Sequence, residues 1–354
     1  MEVTTTKQLT GENFRDGSYS QLKSRVQRLG LLKKQPGFLT VRILSNLALL
    51  LLSLTVLLIS DNIWLQVANA AFMAFVFGQI GFVAHDTGHR QAYGSPATND
   101  LVGMLHANLL LGMSQGWWVR KHNRHHANPN HSDLDPDIGM VIMAFTEEDA
   151  LAKRGFNRFM VRYQAIFLFP LLLFEGLSLR IGSLLFVMRH RSRYRALEIV
   201  LILLNLVWFT GVIFFALGAA KGLLFIVIQQ ALFGFYMGSV FAPNHKGMPV
   251  VSQKEEPDFL HLQVLTARNI HPHPLTDYWY GGLNYQIEHH LFPGLARNRL
   301  KQAREVVMTF CQENNISYYS TSILGSYREI LSSYHRVSAP LRRSSRPTNN
   351  LAPK

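Results

Sequence analysis

NIWLQVANAAFMAFVFGQIGFVAHDTGH, residues 62–89, opens as a membrane helix and closes on a histidine pair. Residues 62–84 carry no Asp, Glu, Lys or Arg. Their length suits a hydrocarbon core, which takes roughly 20 apolar residues. His85 and His89 follow directly. If the helix runs on past the bilayer, a spacing of four puts both imidazoles on one face, just beyond the membrane. A lone pair of this kind is usually accidental, so its meaning depends on the rest of the chain.

Three more segments have the length and apolarity of spans: residues 38–60, 196–217 and 222–242. Asp61-Asn62 joins the first pair, and Gly218-Ala219-Ala220-Lys221 joins the second. Both pairs read as helical hairpins. Of the 35 Lys and Arg, eight precede residue 43, thirteen lie in 85–195 and thirteen in 244–354; the hairpin turns hold only Lys221. The positive-inside rule then places both termini and the middle loop in the cytoplasm. The net charge of +13 is accounted for by topology and calls for no nucleic-acid partner. Leu101–Trp118 and Tyr163–Met188 are apolar but carry polar interruptions, and are expected as amphipathic helices lying at the interface. No secretory signal is expected in residues 1–37. The organisation is thus a cytoplasmic segment (1–37), a membrane domain (38–336) and a basic, disordered tail (337–354). Leu300–Gln312 reads as a surface helix.

Fifteen histidines stand beside a single cysteine, Cys311, which excludes disulfide frameworks and Cys-based metal sites. His122-Asn123-Arg124-His125-His126 sets three imidazoles on one helical face. Charged, they would repel; neutral, they would add little to a core. Gln286-Ile287-Glu288-His289-His290 repeats the pattern, and His245 sits just past the fourth span. All these positions fall on the cytoplasmic side. Eight imidazoles (His85, His89, His122, His125, His126, His245, His289, His290) exceed the four of one tetrahedral zinc and fit two metals. Ligand type leaves iron, zinc, copper and nickel open. Asp86, Asn123, Asp133, Asn244 and Glu288 are candidates to orient imidazole N–H groups. His106, His190 and His335 read as packed or solvated. His131, His261, His271 and His273 lie near the clusters in sequence only. Trp117-Trp118 reads as an interface anchor, with Trp118 also a candidate substrate wall.

The expected architecture is an all-α integral membrane protein. Four spans in two hairpins carry a cytoplasmic helical cap that holds a His-rich two-metal site. A metal transporter is disfavoured, because no span has His, Asp or Glu in its middle. A zinc peptidase would need Glu within a His-Glu-x-x-His helix, and His85-Asp86-Thr87-Gly88-His89 lacks it.

The three boxes, H-x-x-x-H, H-x-x-H-H and Q-x-x-H-H, resemble those of the membrane fatty acid desaturase superfamily. Gly281–Pro293, Lys121–His126 and Asn244–Pro249 look like its front-end and linoleoyl-type branch, and Gln286 is that branch's mark. The likeness runs from about Ala84 to Pro293. It implies two iron ions, dioxygen as cosubstrate, and a long acyl chain, CoA- or lipid-linked, held in a bent tunnel. The eight histidines become its iron ligands, with Gln286 a weak ligand or a holder of water. A related di-iron hydroxylase or ketolase shares these ligands. Many front-end members carry a fused haem domain with a His-Pro-Gly-Gly signature, and these 354 residues contain none. The expectation is therefore a separate electron donor, a ferredoxin or small haem protein with its reductase. It would dock on basic residues such as Arg297, Arg299, Lys301 and Arg304. The reaction class suits the residues: an unactivated C–H bond has no acidic proton for a carboxylate pair to take, so an oxidising metal centre is needed.

Overall fold

A computed structural model describes residues 18–252 and 257–343. Among the described residues the regular structure is helical apart from one two-stranded parallel pair and an isolated bridge between His131 and Val251. Helix α1 spans Ser18–Arg28, α2 Pro36–Ile59 and α3 Ile63–Gly88. Pro36 at the first turn of α2, where its missing N–H costs nothing, starts that helix. Asn62 caps α3 by accepting from the Leu65 N–H. Polar side chains in this hairpin face its partner helix rather than lipid. Asn69 Nδ2 donates to the Ser53 carbonyl (3.0 Å), Ser53 Oγ to Asn69 Oδ1 (2.7 Å), and Asn46 to the Gln79 carbonyl (3.0 Å). Interhelical hydrogen bonds of this kind contribute about 0.6 kcal/mol each in a bilayer.

Next come α4 (Pro96–Met104), a π-helical turn (Leu105–Leu110) and α5 (Gln115–Ala127). Leu101–Trp118 is therefore not one amphipathic helix. It widens into the π-turn, breaks at Gly112 (φ +69°), and starts again at Ser114, the N-cap of α5. Helices α6 (Glu147–Ala152) and α7 (Gly155–Arg162) lead to α8 (Gln164–Leu172) and α9 (Glu175–Arg189). Tyr163–Met188 is likewise not one helix, since α8 and α9 meet at a 72° bend soon after Pro170.

Helix α10, Arg195–His245, breaks at one residue, Gly218, whose φ of +70° suits glycine. The two halves fold back on each other: a Cβ placed on Gly222 would touch Phe214 (2.8 Å) and Ile213 (3.4 Å). The expected four-residue turn is in fact a single non-helical glycine. Lys221 Nζ donates to the Asp61 carbonyl (3.2 Å), so the two hairpin turns meet. At mid-depth, α3 and α10 press together at Gly78, where a Cβ would fall 2.2 Å from the Tyr236 ring. By length and composition α2, α3 and α10 can each cross a membrane, and the bent pair α8/α9 is a further candidate.

After α10 come α11 (Phe259–Leu265), β1 (Asn269–Ile270), α12 (Pro274–Trp279), α13 (Gln286–Leu291), α14 (Leu300–Glu313), β2 (Ser320–Thr321), α15 (Ile323–Val337) and α16 (Ala339–Arg343). Leu22 and Val26 of α1 join Val264, Ile287, Leu291, Val307 and Phe310 in one buried cluster beneath α13. The expected surface helix is α14, with Ala303, Val307 and Phe310 on its buried face. Residues 339–343 form a helix with Leu341 buried against Ala144, Ala150 and Val161, contrary to the disordered tail read from composition. Residues 344–354 lie outside the described part.

Candidate metal centre

Four elements deliver the histidines. Helix α3 continues through Gly88, so His85 lies on it and His89 caps it, one turn apart. Helix α5 carries His122, His125 and His126, α10 ends on His245, and α13 carries His289 and His290. The imidazoles fall into two groups whose potential ligand atoms lie within 4.8 Å of one another: His85, His89, His122 and His289; and His125, His245 and His290. His126 sits between them. Its Nε2 is 3.1 Å from His122 Nε2, and its ring stacks on His290 with centroids 4.1 Å apart.

Within the second group, His245 Nε2 is 3.2 Å from His125 Nε2 and 3.0 Å from His290 Nε2. Two imidazole nitrogens bound at about 2.1 Å to one ion and at right angles lie about 3.0 Å apart, so this spacing fits a shared metal. The first group fits for another reason: the buried Nε2 atoms of His85, His89 and His289 have no hydrogen-bond partner. Orphaned buried nitrogens are rare in a protein interior, and a metal would satisfy them.

In the second group the outer nitrogens are tied back, whereas Nδ1 of His126 is buried without a partner. His125 Nδ1 faces both oxygens of Asp135 at 3.0 Å. His245 Nδ1 donates to the Thr266 carbonyl (3.0 Å), and His290 Nδ1 to Gln263 Oε1 (2.8 Å). Such bonds fix the tautomer and leave Nε2 free to ligate. Burial first, and then the neighbouring imidazoles, push His89, His122, His126, His289 and His290 well below the ordinary histidine range. The shift favours the neutral imidazole, the form a metal binds.

Of the expected supporting residues, Asp86 stands 3.4 Å from His85 Nδ1, and Arg297 grips it at 2.9 and 2.5 Å. Asn123 and Asp133 are exposed; the Asp133 carboxylate bonds Ser132, and its backbone N–H donates to Nδ1 of His131, which is outside the eight. Asp133 lost the role to Asp135, two residues on, because the loop turns Asp135 inward. Glu288 is buried but bonds Asn269 (2.7 Å) and Tyr318 (2.9 Å) rather than an imidazole. Burial pushes its carboxyl up to about 7, against the pull of those two bonds. Asn244 is buried with its side-chain oxygen unpartnered. Gln286 Nε2 lies 2.9 Å from His245 Nε2, and Oε1 is buried without a partner. Turned over, that amide presents an oxygen to the second group. Gln263 and Thr266 went unread, since nothing local marks them. Asp135 had a signal in the acidic run Asp133-Leu134-Asp135-Pro136-Asp137.

Trp118 faces the histidines. It stacks on His122 at 4.3 Å and meets His85 edge-on at 5.2 Å. Two adjoining cavities share His85, Trp117, Trp118, Leu179, Phe241 and Leu283. One turns polar at Lys121, Asp137, Glu175 and Lys246. The other runs between α3, the π-turn and α10 past Phe82, Ala107, Leu111, Phe233 and Met237. Both cavities are mostly apolar, and His85 is the histidine that lines the two of them. Of the basic residues read as a docking face, Arg297 is withdrawn: it is largely buried against Asp86 and Phe82. Lys301 is exposed, while Arg299 and Arg304 are half-buried.

Comparison with known proteins agrees with this geometry. The family model for fatty acid desaturases matches residues 62–322. An acyl-lipid (9-3)-desaturase of Physcomitrium patens is 31% identical over 333 residues, 90% of this chain and 62% of the relative. The chain therefore spans less than two thirds of that relative's length. A delta(5) fatty acid desaturase of Caenorhabditis elegans is 28% identical across 85% of this chain and 69% of its own length. A delta(8)-fatty-acid desaturase of Borago officinalis is 28% identical across 86% and 71%. The histidine boxes, the apolar helices and these matches agree: the chain belongs to the fatty acid desaturase family.

Proposed function

We propose that the protein is an O2-dependent fatty acyl desaturase that introduces a cis double bond into a long acyl chain carried on CoA or on a lipid. The observation that carries this reading is the gathering of eight imidazoles beside two mostly apolar cavities, one of them lined by His85, His122, His125 and His245. In this reading the eight histidines hold two irons, which with dioxygen supply the oxidant for an unactivated C–H bond. His125, His245 and His290, each tied back at Nδ1, keep that ligand set rigid. Trp117, Trp118, Phe241 and Leu283 would wall the reacting carbons and exclude water. Each turnover removes two hydrogens from the chain and takes two electrons and two protons from outside, reducing O2 to two waters. The electrons would come from a separate ferredoxin or small haem protein docking near Arg299, Lys301 and Arg304. With that donor limiting, the rate should fall as salt rises. Expression in a host without desaturases, followed by lipid analysis, is expected to show a new unsaturated acyl species. An unchanged profile alongside folded protein would contradict the proposal.

The membrane arrangement that goes with it has four spans, one per half of each hairpin, with both termini and the metal centre cytoplasmic. The charge distribution and the meeting of the two hairpin turns support it. Single cysteines at Ser95 and Ala219, both exposed, test it in a Cys311→Ser background. An impermeant thiol reagent on intact cells is expected to label position 219 and spare 95. The reverse pattern would invert the topology.

A further inference from the structure

We propose that Glu198 is a positioning residue for the metal centre: its buried carboxylate anchors the start of α5 and thereby sets where His122, His125 and His126 stand. The proposal rests on the two-iron reading of those histidines. Glu198 lies in the first turn of α10 and is 2% exposed. Its Oε1 accepts from Ser114 Oγ (3.0 Å) and from the Gly116 N–H (2.8 Å). Ser114 is the N-cap of α5, and its Oγ also accepts from the Trp117 N–H (3.0 Å). One carboxylate oxygen therefore holds both the cap and the first turn.

No Lys, Arg or His pairs with Glu198 among the described residues. Burying a carboxylate without a cation is costly. The partial positive charge of a helix start, with its free N–H groups, is the compensation available here. The approach depends on residue 116 being glycine, because a Cβ there would come within 3.1 Å of Oε1. Further along α10, Asn205 Nδ2 donates to the Leu109 (2.9 Å) and Leu110 (3.0 Å) carbonyls, and Trp208 Nε1 to Leu109 (2.8 Å). Helix α10 thus grips both ends of the irregular segment that leads into α5. His122 stands less than two turns beyond Gly116 on the same continuous helix. A shift of about 1 Å in a reacting geometry can cost about 100-fold in rate.

Glu198→Ala, Glu198→Gln and, as a control for general destabilisation, Gln229→Ala test this in the full chain purified in detergent. Gln229 is a buried polar residue in the other half of α10. Iron per monodisperse chain is measured, together with the spin-label distance between cysteines placed at Asn123 and Ala219. Glu198→Gln, which keeps an acceptor oxygen, is expected to hold close to the wild-type iron and the wild-type distance distribution. Glu198→Ala is expected to hold less than half the wild-type iron, to lose about 100-fold in product, and to broaden the distance distribution. Gln229→Ala is expected to melt earlier with iron and distance unchanged. Wild-type iron and an unbroadened distance in Glu198→Ala would overturn the proposal, as would equal iron loss in Gln229→Ala. A wild-type chain without iron would refute the metal reading, and the spin-label distance would still decide the role of Glu198.

Discussion

Replacing His289 with Ala is expected to abolish product and to remove at least one metal per chain. His289 belongs to the first group, with His85, His89 and His122. Its ring also lies 4.7 Å from that of His126, which joins the groups. Changing a residue that only orients a ligand costs about 10–100-fold in metal affinity or activity, so deleting a ligand should exceed that range. His125→Ala strikes the second group instead, and should spare metal bound by the first. The comparison has content because the two variants are expected to retain different metals. His271→Ala is the control: its side chain is exposed and it belongs to neither group. That variant should keep full iron and activity. Wild-type iron and product in His289→Ala or His125→Ala would remove that residue from the ligand set.

Asp135→Asn should lower metal affinity and activity by about 10–100-fold, whereas Asp133→Asn should change neither by more than about twofold. Asp135 is buried, and its oxygens accept from His125 Nδ1, from the Asn130 N–H (2.8 Å) and from the Asp137 N–H (2.9 Å). The amide keeps one acceptor but loses the charge that strengthens the His125 bond. Three donors competing for one oxygen should also cost stability, about 1–3 kcal/mol for a donor left unpaired. Affinity must therefore be read per folded chain. Asp133 is exposed; its carboxylate accepts from its neighbour Ser132, and its backbone N–H, which the substitution leaves in place, donates to His131 Nδ1. Equal effects at the two positions would mean that Asp135 does not hold His125.

The contrast between Asp133 and Asp135 shows where sequence reading ran out. Spacing alone placed His85 with His89 and aligned His122, His125 and His126, because helical periodicity is local and strict. The hairpin halves were equally plain, since lipid demands long apolar runs. Which of several acids turns inward is set by loop geometry, and loops have no periodicity to read. The same holds for Gln263 and Thr266, which reach His290 and His245 only through tertiary packing. The irregular stretches failed for a related reason. Composition made Leu101–Trp118 one helix, but Asn108 accepts from the Gln115 N–H, and Asn205 holds the Leu109 and Leu110 carbonyls. Those bonds come from side chains remote in sequence or across a break. Arg297 looked like surface charge until Asp86, 211 positions away, was seen to bind it.

Eight imidazoles from four elements are expected to form a two-iron centre. Elemental analysis of the purified chain, counting iron and zinc per polypeptide, tests it most directly. Two irons per chain with little zinc is the expected result; one zinc per chain, or a folded wild-type protein that binds no iron when reconstituted with ferrous iron, would contradict it.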